Sequence, residues 1–300
     1  MLTVDVGIAC NKNQSNRWWS QVMGELLNIQ ERGQVRIGRV ITVGAALPDF
    51  SKSEVAAIGL GRLGLTDANR SEIVQRHLEE DEKAGAIWWI DDDTVPPAGA
   101  LEKLVAMDVE VAAGLYFLRV PPCSPVAYFR NPGGTYAPLW NYQKGEIVHV
   151  DSVGMGCTLV RRTVYERIKR EYLLFQRVET GTVRAVHRDD FIVVKELPKT
   201  MERRAGQVVY ADGQAVYVEK LIGPLDPKTV ERWPFYAMEY ERTEDHYFCE
   251  MVKRLGMTIA VDTSIECQHW GDTAVVGQNF RDMKQWYEQR EKKADGDGQE

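Results

Sequence analysis

Three consecutive aspartates, Asp91-Asp92-Asp93, follow directly on the apolar run Ala86-Ile87-Trp88-Trp89-Ile90. Adjacent carboxylates repel one another unless a cation or a set of hydrogen bonds offsets their charge. In an extended segment alternate side chains share a face, so Asp91 and Asp93 are expected to look into one pocket while Asp92 turns back into the protein. Oxygen ligands of this kind suit a hard divalent cation, Mg2+ or Mn2+, which can bridge to a diphosphate. The competing reading is structural: Asp-rich turns often cap a following helix, and Thr94 ahead of Pro96 could do so too.

A second acidic group lies near the C-terminus. Thr243-Glu244-Asp245-His246 has the form of a helix start, with Thr243 as N-cap and the acids in the first turn, where the helix dipole favours them. Asp245 or Glu244 facing a pocket could instead take a proton from a hydroxyl, and spacing alone leaves both readings open. His269, beyond Ile265-Glu266-Cys267-Gln268, is a lone histidine at a strand end, a pattern commoner in structural histidines than in ligands. Trp88 and Trp89 read as core. Trp140, Trp233 and Trp270 stand in loop-like stretches and are candidate platforms for a sugar ring.

The elements that must position these groups alternate. A short strand over Val4–Cys10 leads through the polar loop Asn11–Ser15 into a helix from Arg17 to about Gln30. A strand over Gln34–Val43, a Gly-rich loop region, a helix from about Asn69 to Ala84, the Ala86–Ile90 strand, a helix through Leu101 and Leu104 and a strand over Val109–Leu115 follow. Such alternation predicts an α/β fold with a mostly parallel sheet flanked by helices, which binds ligands at the carboxyl ends of its strands. The second half reads as a strand over Asp151–Arg161 carrying Gly154 and Gly156, a helix near Thr163–Tyr172, a helix over Thr243–Leu255 and a strand over Thr258–Ile265. Between them 173–232 reads as an irregular insertion, with a hairpin signal at Ala211-Asp212-Gly213-Gln214. Residues 291–300 read as a disordered tail.

Three hundred residues, 44% of them hydrophobic, predict one domain over 1–290, with a nucleotide-binding half to residue 115 and an acceptor half beyond it. A net charge of −7 lacks the basic excess of a general nucleic-acid binder. The cluster Arg161, Arg162, Arg167, Lys169 and Arg170 has the spacing of a solvated helix face. No stretch approaches the roughly 20 apolar residues that span a bilayer, and no secretory signal opens the chain. The cysteines, five in number, are widely spaced without a Cys-x-x-Cys pair, which argues against a disulfide framework or a structural zinc site. A cytoplasmic protein is the expectation.

Five segments resemble those of the GT-A glycosyltransferases, family-two-like enzymes of bacteria and phages. Ile87–Asp93 resembles that family's apolar strand with its DxD motif, and Asn69-Arg70 its Arg-Asn pair in reversed order. Val153-Gly154-Met155-Gly156 through Arg162 resembles its glycine loop and strand, Glu244-Asp245 its acidic pair, and Val261–Ile265 leading to His269 its last core strand with a metal-binding histidine. The resemblance implies a nucleotide-sugar donor, a UDP-sugar foremost, and Mn2+ or Mg2+ held by Asp93 and His269 with Asp91. It implies donor contacts from Asp91, Asp92, Arg70, Gly154 and Gly156, with Ala9, Cys10 and Asn11 bordering the base. Asp245, with Glu244 beside it, is then the catalytic base if the enzyme inverts the anomeric centre, and inversion and retention both stay open. The acceptor stays open among glycan, protein, lipid and modified DNA base. A nucleotidyltransferase is the rival enzyme reading, disfavoured because Asn11-Lys12-Asn13-Gln14-Ser15 has no glycine, and a nucleotide-sugar-binding module without catalysis is the non-enzymatic one.

Overall fold

The computed structural model describes residues 1–9, 16–43, 56–60, 66–80, 83–177, 181–189, 208–209, 215–216, 221–238, 242–271 and 274–296. Eight strands form the central sheet: β1 (Thr3–Ala9), β2 (Arg36–Val43), β3 (Ala56–Leu60), β4 (Ala86–Ile90), β5 (Val111–Leu115), β6 (Ile147–His149), β7 (Cys157–Arg161) and β8 (Ile259–Glu266). Their spatial order is β3-β2-β1-β4-β7-β5-β8-β6. All run parallel except β7, which lies antiparallel between β4 and β5, and β6, antiparallel at the edge of β8. The chain walks outward from β1 through β2 to β3, then returns to set β4 on the other side of β1. In open α/β sheets such a reversal, here at the carboxyl ends of β1 and β4, is where ligands bind.

β4 is apolar on both sides because both of its faces are covered. Trp88 and Ile90 point to a core under α1 (Asn16–Arg32) and α3 (Ala100–Ala106), with Trp18, Val22, Leu101 and Leu104. Ile87 and Trp89 point to the opposite core, under α2 (Thr66–Glu80), α4 (Arg162–Glu171) and α5 (Glu244–Arg254), with Ile73, Tyr165 and Phe248. Phe280 of the last helix, α6 (Gly277–Gly296), joins that second core.

α2 is set on the sheet by a buried hydrogen-bonded group. Asp5 of β1 takes Arg39 Nη2 at 2.6 Å and faces His77 Nδ1 at 2.8 Å. Burial alone would raise the Asp5 carboxyl, but the bonds from His77 and Arg39 outweigh it and hold it below the usual carboxylate range. With His77 so placed, Arg70, two turns earlier on the same helix, faces the carboxyl end of β4. No helix among the described residues is long and apolar enough to cross a membrane.

Several expectations need correction. The strand read over Asp151–Arg161 breaks at its glycines into Ser152–Val153 and β7. The stretch 173–232 contains a three-stranded antiparallel sheet of Tyr172–Arg177, Val183–His187 and Leu221–Leu225, plus a short pairing of Val208–Val209 with Ala215–Val216. The turn of that hairpin lies outside the described residues. Helix α6 runs to Gly296, into the segment read as tail, because Glu288 through Ala294 are strong helix formers. Arg161 and Arg162 are not a solvated face: Arg161 donates to the Val105 carbonyl, and Arg162 to those of His77 and Leu78. Cys123, Cys157, Cys249 and Cys267 are buried free thiols.

Candidate active site

The aspartate triplet is a turn rather than an extended segment, closed by a hydrogen bond from Thr94 N to the Asp91 carbonyl at 3.0 Å. Alternation therefore does not apply. Asp91 and Asp93 face different partners, and Asp92 is half-exposed like its neighbours instead of turning inward. Thr94 caps no helix either; Thr94–Val95 is a two-residue strand antiparallel to Gln268–Trp270, with Thr94 opposite His269. That pairing, tightened by Trp270 N donating to the Asp93 carbonyl at 2.6 Å, brings two residues distant in sequence side by side.

His269 Nε2 lies 3.3 Å from Asp93 Oδ1. Its Nδ1 faces the Phe117 carbonyl at 2.6 Å, and a carbonyl only accepts, so Nδ1 carries the proton and Nε2 is left to face the aspartate. Burial pulls this imidazole down, yet Asp93 and the Phe117 carbonyl outweigh burial and raise it above its ordinary value. Arg119 Nη1 completes the group, 3.0 Å from Asp93 Oδ2 and donating to the Trp270 carbonyl. Asp91 is not part of this set. Among the described residues no three Asp, Glu, His or Cys side chains gather as a metal-binding cluster.

Asp91 instead belongs to a second group centred on Arg70. The Arg70 side chain is 3% exposed, and its Nη2 donates to Asp91 Oδ1 at 2.9 Å. Glu244 Oε1 and Asp245 Oδ1 lie 3.7 and 3.8 Å from its Nε. Those gaps exceed a hydrogen bond: Arg70 Nε and Nη1 and Asp245 Oδ1 are buried without a hydrogen-bond partner among the described residues. The rings of Trp89 and Tyr236 lie 5.7 and 6.0 Å from the guanidinium carbon. Desolvation works against the charge on Arg70, but Asp91, Asp245 and Glu244 together push its pKa above the ordinary value.

Asp245 sits in the first turn of α5, where Thr243 caps the helix by accepting from His246 N. Its carboxyl is pushed up to about 8, chiefly by burial; Arg70 opposes the shift, Glu244 and Asp91 reinforce it, and the Met155 amide opposes it by hydrogen bonding. That amide links the Gly154-Met155-Gly156 turn to the acid. The same turn meets the aspartates, since Asp91 N donates to the Gly156 carbonyl.

Gly154 and Gly156, which the resemblance made donor contacts, pack against Tyr116. A Cβ on Gly154 would stand 1.8 Å from the Tyr116 hydroxyl oxygen, and one on Gly156 would stand 2.9 Å from the same ring. The glycines make room for Tyr116. This residue has no motif around it, and only its position directly after β5 could have marked it. Burial raises its phenol well above the usual range, with Asp91 and Asp245 adding to the shift, so it stays neutral. Its ring meets His269 edge to face at 5.3 Å, so it touches both the histidine and the glycine turn. Gly154→Ala is expected to cost about 1–3 kcal/mol in urea denaturation, the usual price of overpacking; unchanged stability would show that Tyr116 yields freely.

Of the remaining sequence candidates, Ala9 is buried at the carboxyl end of β1, whereas Asn11 and Cys10 lie outside the described residues. Trp233 is core, packed on Phe235 with ring centroids 4.4 Å apart. Trp140 is half-buried and meets Phe280 edge-on at 5.2 Å. Trp270 is half-buried and donates from its indole to Gln268.

No family model matches the chain, and no curated protein matches it. Among solved structures it is similar to A197 from STIV, with a TM-score of 0.43 and 14% identity over 93% of this chain and 92% of that one. It is also similar to GalNAc-T7 crystallised with UDP, GalNAc and Mn2+, with a TM-score of 0.45 and 11% identity over 94% of this chain. The match spans 47% of that second protein. Likenesses this distant assign no function.

Proposed function

We propose that the chain is a metal-dependent glycosyltransferase of the GT-A type, which moves a sugar from a nucleoside diphosphate donor, a UDP-sugar foremost, to an acceptor hydroxyl. The observation that carries this reading is the pairing of Asp93 Oδ1 with His269 Nε2 at 3.3 Å, beyond the carboxyl ends of β4 and β8. Asp93 and His269 would hold a divalent cation, the carboxylate offering an oxygen ligand and the imidazole a nitrogen ligand. The imidazole favours Mn2+ over Mg2+. Such a cation, when bound, neutralises charge on the diphosphate as the sugar departs.

The chain's own residues supply the rest. The Phe117 carbonyl orients the His269 ring. Arg119, anchored on the Trp270 carbonyl, is available to donate to phosphate oxygens. Arg70 holds Asp91 in place at the rim of the sheet, and Ala9 borders the base. Asp245, with the proton affinity of a base poised near physiological pH, accepts the proton of the attacking hydroxyl, with Glu244 beside it raising that affinity.

The test is a melting-temperature measurement with UDP, UDP-sugars and Mn2+. A ligand that binds only the folded protein stabilises it by about 2.7 kcal/mol at one hundred times its dissociation constant. The expected result is a rise that needs nucleotide and Mn2+ together and is lost in Asp93→Ala and His269→Ala, with donor hydrolysis lost alongside. Full hydrolysis after stripping with a chelator would end the metal-dependent reading. Donor binding without turnover on any acceptor would favour the binding module instead.

A further inference from the structure

One residue beyond Asp245, an aromatic group gathers that the donor side does not use. The His246 ring stacks on Tyr136, with centroids 4.0 Å apart and planes within 9°, and meets the Tyr128 ring at 5.0 Å and 71°. Its Nδ1 is held by the Ser152 hydroxyl at 2.6 Å, and Ser152 is itself the strand partner of Tyr128. The three rings thus come from three segments: Ala127–Arg130, Tyr136–Pro138 and the first turn of α5. None of them is sealed in the core; all are half-buried.

Rings with a polar edge that stay partly in water suit a surface that is apolar on one side and wet on the other. The rim here is polar and paired. Tyr136 donates to Glu250 at 3.0 Å, and Glu250 is also bound by Arg242. A carboxylate and a guanidinium beside stacked rings match the apolar face and hydroxyl edge of a sugar ring. A nucleic-acid acceptor would need unbalanced positive charge along its backbone, whereas Arg242 and Arg130 here face Glu250 and Lys253 faces Asp151.

We propose that Tyr128, Tyr136 and His246 form the acceptor subsite, and that its occupant is a saccharide packed on these rings with its reacting hydroxyl turned toward Asp245. The proposal rests on the glycosyl-transfer reading and names its acceptor class. Methyl glycosides of glucose, galactose and N-acetylglucosamine are the probes; a threonine-containing peptide and an oligonucleotide bearing hydroxymethylcytosine represent the competing classes. Transfer to at least one glycoside is expected, with acceptor KM raised about tenfold by Tyr136→Ala or Tyr128→Leu, a loss of about 1.4 kcal/mol in binding, and restored by Tyr136→Phe, which keeps the ring.

The donor side is read separately, by the melting-temperature rise with UDP and Mn2+. A merely structural role for the rings would lower that rise and the transfer rate together. Glycoside KM unmoved in both ring variants, or transfer to the peptide or oligonucleotide alone, overturns the saccharide subsite while leaving glycosyl transfer standing. Absence of donor hydrolysis and of any transfer in the parent protein removes the glycosyl-transfer reading itself, and the subsite with it.

Discussion

Asp245→Asn is expected to lower sugar transfer by about 10²–10⁴-fold, the usual contribution of a positioned base, and at the same time to make the protein more stable at pH 8. The second effect follows from the first residue's environment. Burial, with Glu244 and Asp91 nearby, lifts the Asp245 carboxyl to about 8 against the pull of Arg70, whereas in the unfolded chain it titrates near its ordinary value. Between about pH 4 and pH 8 the folded protein therefore keeps a proton that the unfolded chain has released. Stability contributed by the protonated acid is full below the unfolded value and is lost as pH rises through that window. Asparagine, neutral throughout, escapes the loss. The side chain is 17% exposed, and the gain expected at pH 8 is of order a few kcal/mol, shrinking to nothing near pH 4. Transfer by the parent protein should rise with pH through about 8, as the base form appears, and the residual rate of the variant should lack that limb. Denaturation midpoints at pH 4 and pH 8, measured with rates on the same samples, check both halves. A variant that is inactive but no more stable at pH 8 would mean that Asp245 is not held protonated. One that is more stable and fully active would remove it from the chemistry.

The sequence carries part of this site openly and hides the rest. A five-residue run of Ile, Trp and Ala can only be a buried strand, so the Asp triplet was bound to emerge at a sheet end. Likewise Thr243 ahead of Glu244-Asp245 announces the helix start that the structure contains. The orientation of the three aspartates was not legible, because a turn closed by Thr94 and a continuing strand share the same local composition. What separates them is the pairing of Thr94 with His269, a contact with no local signature. The same holds for the small sheet that joins Ser152 to Tyr128, built from strands too short to show a period. Tyr116 was invisible for another reason: its importance is written in the glycines that make room for it, and glycine turns suggest ligand clearance as readily as side-chain clearance.

The resemblance offered Arg70 as a donor contact but did not show it as the hub of two acidic groups, and its removal carries the second large expectation. Arg70→Met keeps much of the apolar stem against Trp89 and Tyr236 and deletes only the charge that Asp91, Glu244 and Asp245 share. Losing one partner of a buried ionic group costs about 3–5 kcal/mol, because the charges left behind have no counter-ion. The stranded carboxyls can escape that cost only by taking up protons, so the loss should be greatest at pH 8 and shrink toward pH 5. Adding Asp245→Asn to Arg70→Met should recover part of it, since neighbours that share one charge are not additive. Denaturation of the single and double variants at both pH values separates charge from packing. A loss that is equal at pH 5 and pH 8, and untouched by the second substitution, would mean that Arg70 matters for the space it fills. A loss that follows pH would mean that one guanidinium balances the acid at the rim of the sheet against the acid on α5, so that any cation or diphosphate drawing Asp91 away from Arg70 alters the proton affinity of Asp245 from the donor side.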